Sequence, residues 1–139
     1  MKRYGLKKRI VAMMTVSVLT IWFALPNMAY AKTVTIEGRT ISATLTGNSS
    51  SATATISYTE GSGQVKADLT GYPHYIESPS IMADPVHNSS SNPTPGGASA
   101  SISASLWCDF LIVISASEYT VYINGTTHKG TIDDKLEFM

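Results

Sequence analysis

The chain has 139 residues and sets ten Lys and Arg against ten Asp and Glu, so its formal charge is zero. Lys2, Arg3, Lys7, Lys8 and Arg9 hold half of the cations, which leaves residues 32–139 with five cations against all ten acids, a net charge of −5. This excludes a strongly basic nucleic-acid binder for that part, the length permits one domain, and a single Cys excludes an intrachain disulfide scaffold and any multi-Cys zinc module.

The basic start leads into Ile10 to Leu25, an apolar stretch interrupted by Thr15, Ser17 and Thr20, and then into Pro26, Asn27 and Ala29-Tyr30-Ala31. Basic, apolar and then small-x-small is the order of a secretory signal, with cleavage between Ala31 and Lys32. Residues 1–31 therefore read as a signal peptide and 32–139 as one secreted domain. The competing reading is an uncleaved anchor that retains the protein at the membrane. A span usually wants about 20 apolar residues, and this stretch stops short at a proline.

Residues 32–139 hold 17 Ser and 14 Thr but only 15 charged residues. Hydroxyls thus replace much of the charge that a soluble surface normally carries, which suits an extracellular β protein. Period-two alternation follows along the chain. Val34 and Ile36 alternate with threonines, as do Ile41, Ala43 and Leu45 with Ser42, Thr44 and Thr46. Ala52, Ala54, Ile56 and Tyr58 come next, and after Glu60-Gly61-Ser62-Gly63, which reads as a hairpin turn, Val65, Ala67 and Leu69.

The stretch from Ser78 to Gly97 holds four prolines and the tract Asn88-Ser89-Ser90-Ser91-Asn92, and reads as a long loop, pinned in part by Ile81, Met82 and Val86. Ala98, Ala100, Ile102, Ala104 and Leu106 resume the alternation, which breaks at Trp107-Cys108-Asp109, where the chain must bend to fit a domain of this size. Phe110 to Ile114 is apolar on both faces and predicts a central or covered strand. Tyr119, Val121 and Ile123 lead to Asn124-Gly125, a hairpin signal because both turn positions need positive φ. Asp133-Asp134 reads as a solvated turn. The expected fold is all-β: a small two-sheet antiparallel sandwich of seven or eight short strands. Its wiring would be immunoglobulin-like, although the Cys-Trp-Cys spacing of true immunoglobulin domains is absent.

Candidate chemistry is sparse. His74, His87 and His128 are expected in turns or loops. Asp84-x-x-His87 with His74 and Glu77 supplies metal-ligand types without a recognised spacing. Cys108 reads as a buried inert thiol, against a nucleophile–base pair or an intermolecular disulfide. Asn48, Asn88 and Asn124 open glycosylation sequons that matter only in a eukaryotic host. The threonine pairs Thr33/Thr35, Thr44/Thr46 and Thr53/Thr55 fit the outward faces of amphipathic strands.

No catalytic, cofactor or metal site is expected. The binding loop would be the His74–Gly97 region with its approach, through Tyr72, His74, Tyr75, Glu77, Asp84 and His87. The functional expectation is a secreted domain with a non-catalytic binding or structural role toward an extracellular or cell-surface partner. It makes no nucleic-acid contact and touches the membrane only through the signal before cleavage. The alternative is a toxin- or bacteriocin-like effector acting on membranes or cell surfaces.

Overall fold

The computed structural model describes residues 28–138, so the signal expected over 1–31 lies outside the described residues except for its last four. Six strands follow in chain order: β1 (Met28–Ile36), β2 (Arg39–Gly47), β3 (Ser51–Tyr75), β4 (Val86–Ser103), β5 (Cys108–Ile123) and β6 (Thr126–Glu137). All pairings are antiparallel, in the order β1-β2-β3-β5-β6 with β4 against β3. The sheet curls into a half-barrel, and the described residues contain no helix.

The alternation read from the sequence places the core. Ile41 and Leu45 of β2, Ala54, Ile56, Val65 and Leu69 of β3, and Ala98, Ala100 and Ile102 of β4 are buried, while the serines and threonines between them face outward or lie at the margin. Phe110, Val113, Val121 and Ile123 of β5 and Leu136 of β6 join the same cluster. Each large aliphatic side chain removed from water here contributes about 1.5–3 kcal/mol. The buried alanines keep the two halves of the curl close enough to share that one core.

The sheet is continuous where two stacked sheets of short strands were expected, and β3 is the reason. Drawn straight, its 25 residues would extend about 80 Å. Instead β3 bends between Tyr58 and Gly63, where its register with β4 shifts. Glu60 to Gly63 is therefore a bend inside a continuing strand and not a hairpin turn. Gly63 has φ 148, and a Cβ there would lie 2.3 Å from the Thr120 carbonyl oxygen, so only glycine lets β5 approach the corner. β4 follows one side of β3 through both halves, while β2 and then β5 take the other side.

Further corrections concern the polar segments. Val86 to Gly97, expected as loop, is the first part of β4, with Ser89, Ser90 and Ser91 paired to Asp68, Ala67 and Lys66. The irregular connection shrinks to residues 76–85. Among the described residues β4 is paired on one side only, which tolerates Pro93 and Pro95, and turn-like composition does not prevent pairing. Asp133 and Asp134 lie in β6 opposite Ala116 and Ser115, not in a turn. His74, His87 and His128 likewise sit in β3, β4 and β6. Asn124-Gly125 does form the expected turn, with φ 51 and 77. Glu37-Gly38 forms a second one, with φ 49 and 77.

The two ends of the curl differ in chemistry. One gathers the Glu37-Gly38 and Asn124-Gly125 turns and the β3 bend. There Asn124 donates to the Glu37 carboxylate at 3.3 Å, Arg39 donates to the Glu60 carbonyl, and the Thr40 amide donates to the Glu60 carboxylate at 3.1 Å. The other end gathers the start of β1, the turn after Gly47, the 76–85 connection and the turn between β4 and β5.

Candidate functional site

At this second end, backbone hydrogen bonds knit three connections together. The Ile76 amide donates to the Trp107 carbonyl at 3.0 Å, and the Tyr75 amide to the Ile81 carbonyl at 3.2 Å. Met82 forms a bridge opposite His74, and the Ala83 amide donates to the Pro73 carbonyl at 3.1 Å. Behind them the Ala104 and Phe110 amides, on either side of the β4–β5 turn, donate to Ser50 and Ser49 carbonyls, both at 2.8 Å. The backbone is fixed, and its side chains are not covered. Leu106 is 91% exposed and Trp107 65%, with Ile76, Ile81 and Met82 about half exposed and Tyr75 slightly less. Six large apolar side chains thus project from adjoining turns.

Ile81 and Met82 were expected to pin the connection to the core by their side chains. The backbone does that instead, and of the three residues named only Val86 packs against the core. Leu106 was counted among the inward residues of its strand. β4 ends at Ser103, so Leu106 falls in the turn and points outward.

The candidate residues of the sequence divide between two places. Tyr72, His74 and Tyr75 occupy the last turns of the β3 ladder, opposite Ile112, Asp109 and Cys108 respectively. Glu77 and Asp84 are exposed on the 76–85 connection. His87 is elsewhere: it pairs across β3 with Thr70, and its Nε2 lies 3.1 Å from the Asp68 carboxylate. Asp68 also meets Lys66 at 3.0 Å, and Glu118 lies 3.4 Å from the same ammonium. The Asp68 hydrogen bond and charge, followed by the Glu118 charge, raise the Lys66 pKa above its ordinary 10.5. Cys108 is buried and unpaired with any other Cys, and the His74 Nδ1 atom is buried without a hydrogen-bond partner.

Chemically this end offers apolar contact area with a few acids around it. Among the described residues no three His, Cys, Asp or Glu side chains converge as a metal would require. A surface hollow lined by Met28, Gly47 and Asn48 lies beside the same end. Sequence reasoning missed Leu106 and Trp107. The available signal was the broken alternation at a large apolar pair with Ser105 before it and Asp109 after.

Fold and site together define a class: a small antiparallel β-domain that exposes large apolar side chains at one end. No family model, curated protein or solved structure matches the chain.

Proposed function

We propose that the protein is an exported, non-catalytic β-domain that works by contact, through the end bearing Tyr75, Ile76, Ile81, Met82, Leu106 and Trp107. Residues 1–31 act as the secretory signal, and the two halves of the curled sheet serve as the facing layers of a sandwich-like scaffold. The observation that carries the reading is the exposure of Leu106 and Trp107 on a backbone held by hydrogen bonds. An apolar patch kept in water on a fixed frame marks an interaction site. The partner is an extracellular or cell-surface one. Action on membranes as an effector is the second reading, favoured by the same apolar turns.

Re-addition of processed protein to washed producing cells tests the reading. Leu106→Ser with Ile81→Ser should move the protein from the cell pellet to the supernatant several-fold, while Glu37→Gln at the opposite end should not. Equal pelleting of all three proteins would refute the contact end. Turnover of glycosidase, protease or esterase substrates would refute the non-catalytic role.

A further inference from the structure

We infer that the apolar end seats in the interface of an uncharged or zwitterionic lipid bilayer, with Leu106 and Trp107 entering first. The inference rests on the contact end proposed above and names what covers it.

Shape favours lipid over a folded partner. Leu106 is 91% exposed and Trp107 65%, so these two side chains form a crest and not the floor of a groove. A fluid apolar phase closes around a crest, whereas a protein would need a matching cavity. The side chains also suit the interfacial zone. An indole at the crest and a phenol at Tyr75 combine apolar bodies with polar tips, the pairing found where acyl chains meet headgroups.

Charge narrows the lipid. Glu77, Asp84 and Asp109 flank the patch in sequence, and the five cations of residues 32–139, Lys32, Arg39, Lys66, Lys129 and Lys135, all lie outside its three connections. On these connections an anionic headgroup would meet acids and no Lys or Arg. The same carboxylates, costly to desolvate, limit entry to the shallow depth of about 5–10 Å typical of interfacial segments.

The chain's path gives the orientation. Met28 pairs with Gly47 at the start of β1. The turn after Gly47 is bonded through Ser49 and Ser50 to the two sides of the Leu106-Trp107 turn. The chain that follows the apolar stretch Ile10 to Leu25 therefore joins the fold at the end that carries the patch. In a chain that keeps that stretch, the same end would be the one held toward the membrane it occupies.

Trp22 and Trp107 are the two tryptophans, so a Trp22→Phe protein reports Trp107 alone in whichever form the cell exports. On phosphatidylcholine vesicles the emission of Trp107 should shift to the blue and be quenched by acyl-chain bromines. An equimolar phosphatidylcholine–phosphatidylglycerol mixture should give a weaker shift. Adding Leu106→Ser and Ile81→Ser should lower partition at least about tenfold, since each removes a buried aliphatic group, without loss of the folded circular dichroism spectrum. Unchanged Trp107 emission on both vesicles would overturn the inference. So would a blue emission before vesicles are added, which would mean that a second copy (if it fades on dilution) or residues 10–25 (if it persists) cover the patch. Vesicle-blind Trp107 with lost cell association in the variants would overturn lipid alone and leave the contact end standing.

Discussion

At position 71 a missing side chain shapes the core. A Cβ on Gly71 would lie 2.4 Å from a Phe110 ring carbon and 2.6 Å from the Ile102 Cδ1. Both neighbours are buried, so neither can swing away. Gly71→Ala should therefore cost about 1–3 kcal/mol through overpacking, read as a lower urea midpoint; an unchanged midpoint would show that the ring has room. Cys108, buried where β5 meets the end of β3, should react with a thiol reagent only at the rate of unfolding. Rapid labelling of native protein, or a dimer that reductant dissolves, would contradict that placement. Lys66 has a folded pKa raised by Asp68 and Glu118. Its contribution is present below the ordinary value of 10.5 and is lost as pH rises through the folded value. Lys66→Met should flatten that alkaline decline, and the effect should be small because the side chain is solvated.

At the scale of elements, the inward residues of β2, of β3 and of β4 after Gly97 were legible because one face of each is polar and the other apolar. Asn124-Gly125 was legible because few pairs accept two positive φ values. The long strands were not. Gly61 and Gly63 carry the same residues whether a chain reverses or bends, and only the pairing of β4 along both halves of β3 separates the two. The Asn/Ser/Pro composition of Val86 to Gly97 hid a strand whose other side is unpaired among the described residues. The contrast predicts a deletion result. Replacing Pro79 to Asp84 by a Gly-Ser linker should cost no more than the two backbone hydrogen bonds to β3 that it puts at risk, about 1–3 kcal/mol, and leave the fold intact. Replacing Val86 to Gly97 should unfold the protein, because it strips the β3 ladder beside Val65, Ala67 and Leu69. Tolerance of both by circular dichroism would mean that β4 is dispensable before its corner. β1 carries a second consequence. Ala31 pairs with Thr44 inside the ladder, so the expected cleavage site is held within a paired strand. Processing should precede folding, and mass spectrometry of exported protein should find Lys32 first; a terminus before Ile10 would assign an anchor instead.

For the whole molecule, the candidate site was half visible in the sequence. Tyr75 stood out as an aromatic beside an irregular connection, while Leu106 and Trp107 read as part of a strand and its bend. Their exposure depends on where β4 stops, which long-range pairing decides. The result is a scaffold with one polar, charged end and one apolar end, joined by a core that both halves share. Hydrogen exchange on the full exported chain, with and without phosphatidylcholine vesicles, tests this polarity most directly. Amides of 76–82 (Pro79 has none) and 104–108 should gain protection beyond that of their existing hydrogen bonds, while those around Glu37-Gly38 and Asn124-Gly125 keep their rates. Protection at the Glu37-Gly38 end, or none at Leu106 and Trp107, would contradict the account.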